Sequence, residues 1–307
     1  MVLICPYCKK KHTVDEKKIP KNIKKARCKY CGQTFFLKNV LEESVKNAGL
    51  SSRQTGPRKI AVSLSKGGVG KTTTSVNLAA GLALAGFKVL LVDTDTQGQD
   101  SFVLGVKPQF GLTELVTGEL TAEETIVEAR KRLWLLAGGK SLAGLKRMID
   151  RKDFGSETTL ADSLTPIENQ YDYIIIDTSP GWDPISVNVL FYVTEVLTPV
   201  SLEVMTLQGL VEFLKALSSI QKYRRELSLK YIVPTFQDNR VKKTAGILRK
   251  LETMYGPILC KPVRYNTRLS EAPAHGQTIY EFAPGSPGAH DYRELVRKVA
   301  GNSKLFT

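Results

Sequence analysis

The sequence predicts an α/β protein: a doubly wound, mostly parallel sheet, preceded by a small cysteine-paired module. Three observations predict it. Short apolar runs at 60–64, 89–92, 173–176, 196–200 and 229–234 read as strands buried on both faces, as in parallel sheets. Segments with helical spacing stand between them, the alternation of a sheet covered on both sides. Two Cys-x-x-Cys pairs lie within the first 31 residues, ahead of all of these strands.

At 307 residues the chain has room for one large or two unequal domains with a sizeable core. No apolar run approaches the roughly 18–20 residues of a membrane-spanning helix. Met1 to Lys11 contains no signal-peptide apolar stretch, so a cytoplasmic location is the expectation. The formal net charge of +14 favours polyanionic partners. Residues 1–57 carry 13 Lys/Arg against 4 Asp/Glu, and residues 222–268 carry 12 against 3. Basic character is therefore concentrated in the N-terminal module and late in the chain.

Cys5 and Cys8 form one pair, Cys28 and Cys31 the other, with 19 residues between. Each pair can fold into a tight knuckle presenting two thiolates, and together they complete a tetrahedral Zn²⁺ site. Disulfide or redox use is the competing reading, disfavoured in a chain with no secretion signal. A segment this short cannot bury enough apolar area to fold unaided, so the metal would contribute its stability. Residues 1–38 resemble a bacterial zinc-ribbon finger, including the aromatic strand Thr34–Leu37. Its lysines (Lys9, Lys10, Lys11, Lys17, Lys18, Lys24 and Lys25) suit nucleic acid, a solvated face or a protein-docking surface. Residues 39–57 read as a short helical piece and a linker, with the boundary of the second domain, 58–307, near Pro57.

The second domain is organised around Ser65-Lys66-Gly67-Gly68-Val69-Gly70-Lys71-Thr72-Thr73. An apolar run precedes it, and a helix follows in which Val76, Leu78, Ala79, Leu82 and Leu84 recur on one side. In a glycine-rich turn between strand and helix, successive backbone N–H groups point inward at a phosphate, and the helix dipole adds positive potential. Lys71 reaches the terminal phosphates, and Thr72 offers a hydroxyl to Mg²⁺. Strand, loop and helix in this order specify a P-loop NTPase domain. The usual glycine six residues before the lysine is Ser65 here, and a second lysine, Lys66, opens the loop. KGGVGKTT resembles the deviant Walker A box of the ParA/MinD class of ATPases. The resemblance implies that residues Lys66 to Thr73 bind ATP. It also implies a catalytic role for Lys66, reaching across a nucleotide-sandwich homodimer to the partner's phosphates.

Two further strands end in carboxylates. Val89–Val92 leads into Asp93-Thr94-Asp95, and Tyr173–Ile176 into Asp177. Ligands in open α/β sheets bind at strand C-termini, which places these acids beside the phosphates. Helix capping is the alternative for the first two. The second strand matches a Walker B pattern, with Asp177 holding Mg²⁺ through water. The resemblance assigns Asp95 to orienting the attacking water and Asp93 to the Mg²⁺ surroundings, with Thr96 standing where the family usually has Pro. Thr178-Ser179-Pro180-Gly181 corresponds to a γ-phosphate-sensing switch in relatives. Residues 97–170 are expected to mix short helices with one strand, Leu133–Leu136. The segment Ala137–Leu145 resembles one in the family, but its spacing assigns it no role.

Strands at 196–200 and 229–234 continue the alternation, with helices near 203–223 and 241–254. Arg264–Pro273 then resembles a late ParA-family segment. The resemblance implies that Arg268, and Arg240 after the preceding strand, bind double-stranded DNA nonspecifically. Lys242, Lys243 and Arg264 would extend the patch. Phosphate contacts need only suitably spaced cations, and a solvated basic face is the plainer alternative. Over 58–307 the resemblance is to the ParA (Soj-like) partition ATPases. It implies that ATP and Mg²⁺ close a homodimer that binds nucleoid DNA, and that slow hydrolysis, stimulated by a ParB-like or cargo-adaptor protein, releases it. One alternative is a MinD-like membrane ATPase, for which Gly301–Thr307 is too short to anchor well by itself. The other is a zinc-dependent DNA-binding regulator that uses ATP as a switch ligand.

Overall fold

The computed structural model describes residues 2–4, 11–13, 25–36, 56–238 and 240–306. The chain divides into two compact units, Met1–Thr55 and Gly56–Thr307. In the first, β1 (Val2–Ile4) pairs antiparallel with β2 (Lys11–Thr13), and β3 (Lys25–Arg27) with β4 (Thr34–Phe36). Cys28 and Cys31 fall in the turn joining β3 to β4. Cys5 and Cys8 lie outside the described residues, as do Lys9, Lys10, Lys17, Lys18, Lys24 and positions 39–55.

The second unit is built on seven strands: β5 (Arg58–Val62), β6 (Val89–Asp93), β7 (Ile126–Arg130), β8 (Leu133–Leu136), β9 (Tyr173–Asp177), β10 (Glu195–Ser201) and β11 (Ser228–Thr235). Their order across the sheet is β11-β10-β5-β9-β6-β8-β7. Every neighbouring pair is parallel except β7 with β8. All five residues of β6 and of β9 are buried, which is why their sequences are continuous apolar runs instead of alternating ones.

The helices of this unit include α1 (Lys71–Leu84), α2 (Gln99–Leu104), α3 (Leu142–Asp150), α4 (Pro184–Tyr192), α5 (Val204–Gln221), α6 (Lys242–Tyr255) and α7 (Pro287–Ala300). Strand side chains alternate between two cores, one on each face of the sheet. Ile60, Val62, Leu91 and Ile175 pack with Val76 and Leu82 of α1 and with Tyr292 and Val296 of α7. Ala61, Leu90, Val92, Ile174 and Ile176 pack with Ile185 and Val189 of α4 and with Leu210, Phe213 and Leu217 of α5. The first face is tight. A Cβ at Gly81 of α1 would stand 2.6 Å from Val296 of α7, so a larger residue there would force the two helices apart.

One element differs from the sequence reading. Residues 97–170 hold two strands, β7 and β8, joined at Lys131–Arg132 with Arg132 in the left-handed region (φ 65°). β7 is a half-buried edge strand, Ile-Val-Glu-Ala-Arg, whose charged residues blur the apolar signal. Its Arg130 is fixed by Glu281 and by the carbonyls of Leu104 and Gly276.

Candidate active site

Four chain segments converge at the C-terminal end of the sheet centre. After β5 the chain turns through Gly68 (φ 74°) and Gly70 (φ 87°) into α1, and only glycine adopts that backbone without strain. Lys71 is buried and its Nζ donates to the Lys66 carbonyl at 3.0 Å, so the lysine folds back under its own loop. The Thr72 hydroxyl donates to Asp177 Oδ2 at 2.7 Å, and the Ser75 hydroxyl to Asp177 Oδ1 at 2.7 Å. Asp93 and Asp177 stand opposite each other in the β6–β9 register, which is what brings two carboxylates from distant sequence together.

The loop after β6 wraps around Asp93. Its Oδ1 accepts from the Asp95 N–H at 2.8 Å and its Oδ2 from the Asp100 N–H at 3.2 Å. Asp95 Oδ1 accepts from the Gln97 N–H at 3.0 Å. Gly138, in the segment to which spacing assigned no role, backs onto this loop. A Cβ there would lie 2.7 Å from the Asp93 carbonyl and 2.8 Å from that of Asp95. The Gly139 N–H also donates to the Asp95 carbonyl at 3.1 Å. The family-like segment is thus the rear wall that holds both acids in place.

Gly67, Gly68, Gly70, Lys71, Thr72, Thr73, Asp95, Gln99, Pro180 and Phe236 line a cavity of about 370 Å³. Sequence reasoning missed Gln99 and Phe236. Phe236 follows β11, has φ 55° and packs beside Gly70. A non-glycine residue held in the left-handed region carries strain of order 1 kcal/mol. Its neighbour Thr235 donates its hydroxyl to the Val69 carbonyl at 2.9 Å, which ties the end of β11 to the loop. Lys66 is exposed, and Gly209 of α5 lies against it.

The electrostatics are lopsided. Burial, and then the Asp177 charge, push Asp93 up to about 7. Burial pushes Asp177 up to about 6, against the hydrogen bonds from Thr72 and Ser75 and the charge of Lys71. Burial also pulls Lys71 below its ordinary value, opposed by Asp177 and Asp95. A third acid, Asp100, is fully buried beside them and was not singled out in the sequence. Bare triphosphate would meet carboxylates with a single buried lysine between, so anion binding there calls for a cation partner.

Two of the segments that carry the candidate DNA-contacting residues lie side by side. Gln237 and Arg264 form a bridge, so the loop after β11 and the segment before Arg268 run side by side. Arg240 is exposed and bound to Asp238, and Arg268 is exposed and bound to Glu271. Arg264 is different, because its guanidinium donates to both oxygens of the buried Asp291 and fastens this segment to α7. Lys242 and Lys243 open α6, and their side chains lie outside the described residues.

A family model described as an AAA domain matches residues 57–230, and one described as a zinc-ribbon domain matches residues 1–36. The chromosome-partitioning ATPase Soj of Thermus thermophilus is 36% identical over 244 residues, covering 79% of this chain and 95% of that protein. The chain belongs to the Soj/ParA family of P-loop ATPases. The sporulation initiation inhibitor protein Soj of Bacillus subtilis is 34% identical over 250 residues, covering 79% of this chain and 98% of its own. Among solved structures, the McdA–ATP complex of Cyanothece superposes with a TM-score of 0.72 at 21% identity, covering 82% of this chain and 99% of that one. Cobyrinic acid a,c-diamide synthase of Mycobacterium smegmatis with ADP and magnesium gives 0.68 at 29% identity, with coverage of 82% and 99%. As a family member the chain is an ATPase, and its glycine loop, Lys71 and the Thr72–Asp177 pair have the donor chemistry that a magnesium–nucleotide complex requires.

The cysteine turn in the first unit has the geometry of a thiolate knuckle. The Tyr30 N–H donates to Cys28 Sγ at 3.4 Å, and the Gly32 N–H, at φ 71°, donates to the Cys28 carbonyl at 3.0 Å. The first of these bonds fixes the position of the sulfur, and the second closes the turn on which Cys31 also lies.

Proposed function

We propose that the protein is a nucleotide-switched DNA-binding ATPase that positions DNA or another cargo. The observation that carries this reading is the wall of one cavity, on which Lys71, Thr72 and Asp95 meet, with the exposed Lys66 one residue before the lining Gly67. The loop N–H groups and Lys71 hold the triphosphate, and Thr72, Asp93 and Asp177 hold or orient Mg²⁺. When bound, Mg²⁺ supplies charge neutralisation for the phosphates. Asp95 keeps one oxygen on the Gln97 N–H and uses the other to orient the attacking water. Lys66 reaches the phosphates of a second copy. Support for that face comes from α5, whose Val204 and Met205 are 71% and 62% exposed close to Gly209, the neighbour of Lys66.

DNA is held through its phosphates by Arg240, Lys242, Lys243 and Arg268. The acids beside Arg240 and Arg268 do not oppose this, because exposed ion pairs are weak and exchange readily for phosphate. Arg264 serves mainly to anchor the segment. In the first unit Cys5, Cys8, Cys28 and Cys31 hold Zn²⁺, and that unit selects cargo or partner. A ParB-like or adaptor protein stimulates turnover, and the protein works on the nucleoid in the cytoplasm. The Thermus thermophilus relative is named for chromosome partitioning, which supports this assignment.

DNA retention measured with ATP, with ADP and without nucleotide, across a salt series, tests the reading. Retention only with ATP and falling steeply with salt is expected. Equal retention in all three conditions would overturn it.

A further inference from the structure

Three carboxylates meet beneath the phosphate-binding loop, and the cycle above uses only two of them. One oxygen each of Asp93, Asp100 and Asp177 lies within 4.8 Å of the other two. Asp93 and Asp177 have protein donors: backbone N–H groups for the first, the hydroxyls of Thr72 and Ser75 for the second. Asp100 has none. It is 0% exposed, and neither of its side-chain oxygens has a hydrogen-bond partner. The charges acting on it, from Asp177, Asp93 and Asp95, are all negative.

In sequence Asp100 is unremarked because an acid in the first turn of a helix such as α2 ordinarily favours the helix dipole from solvent. That explanation fails for a side chain wholly out of water and free of any N–H contact. A buried carboxylate in such surroundings is strongly unfavourable unless a cation or a proton joins it. The donor set is all oxygen, which suits a hard divalent cation. Ligands 2.0–2.6 Å from such an ion lie about 3–5 Å from one another, which matches the spacing of the three acids.

We propose that Asp93, Asp100 and Asp177 form a divalent-cation site that fills without nucleotide, with Asp100 as the ligand that sets its affinity. The proposal deepens the Mg²⁺ assignment of the cycle above and rests on the same pocket. A resident cation would convert a carboxylate-rich cavity that repels triphosphate into one that accepts it.

The test uses the full-length, nucleotide-free chain titrated with MnCl₂, with free Mn²⁺ followed by electron paramagnetic resonance. The wild type is expected to bind one Mn²⁺ that excess Mg²⁺ displaces. Asp100→Asn, which keeps the volume and removes the charge, is expected to weaken that binding at least tenfold. It should also raise the metal-free Tm and lose the metal-induced rise in Tm. Wild-type Mn²⁺ affinity in Asp100→Asn would overturn the proposal. So would the absence of saturable Mn²⁺ binding to the wild type below millimolar, which is decisive even if the variant does not fold. ATP-dependent DNA retention is scored separately, so its loss with Mn²⁺ binding intact would count against the cycle and not against this site.

Discussion

The two ends of the central strands treat buried charge in opposite ways. At the start of β5, Arg58 donates to both oxygens of Glu195, at 2.8 and 2.6 Å, to the Tyr231 hydroxyl at 2.8 Å and to the Val299 carbonyl. Every strong donor there meets an acceptor, and four separate elements are joined. At the other end, four residues past β5, Lys66 begins a loop above three buried carboxylates, one of them with no donor at all. A satisfied buried pair specifies structure, whereas an unsatisfied buried acid calls for a proton, a cation or another partner. The contrast places stability at the N-terminal end of the strands and chemistry at the C-terminal end, as open α/β sheets require.

The largest effect that would break this contrast is expected at Asp95. Asp95→Ala should lower phosphate release about a hundredfold or more with an unchanged unfolding midpoint. Unchanged turnover would remove Asp95 from the mechanism. At the opposite end, Arg58→Met should do the reverse. It leaves Glu195 buried without its partner and should cost about 3 kcal/mol in denaturant unfolding, with turnover per folded molecule unaltered. A loss of activity larger than the loss of folded protein would show that the two ends are coupled.

A smaller test concerns Asp183, which accepts from the Ser186 N–H at 2.7 Å as the N-cap of α4 and pairs with Lys146. Burial raises its pKa, but the bonds from Lys146, Ser186 and Ser179 more than offset this and hold it below the ordinary value. Its contribution is therefore present above the usual carboxylate range and lost as pH falls through the folded-state value. Asp183→Ala should cost about 1 kcal/mol at neutral pH and flatten the acid limb of a stability-versus-pH curve. The smallest effect is expected at the surface. Arg240→Ala should weaken DNA retention several-fold and reduce its salt slope by about one, and an unchanged slope would remove Arg240 from the phosphate contacts.

Much of this was legible in the chain itself. The strands β5, β6, β9, β10 and β11 declare themselves because residues buried on both faces leave no room for polar alternation. The phosphate loop declares itself because its glycines, Lys71 and Thr72 are contiguous. β7 was missed because an edge strand with Glu128 and Arg130 carries little apolar signal. Phe236 was missed because a left-handed φ leaves no mark in composition. Asp100 was passed over because a helix first turn is an ordinary place for an acid.

By itself, then, the sequence determined which elements form and which short stretches hold their chemistry in consecutive residues, since hydrophobic periodicity and turn chemistry are local. The tertiary structure alone decided which acids lose their water and which keep a partner. Asp93, Asp100 and Asp177 become neighbours only because β6 and β9 pair in register and α2 brings Asp100 beside them. Desolvation depends on neighbours distant in the chain, and no local pattern records it.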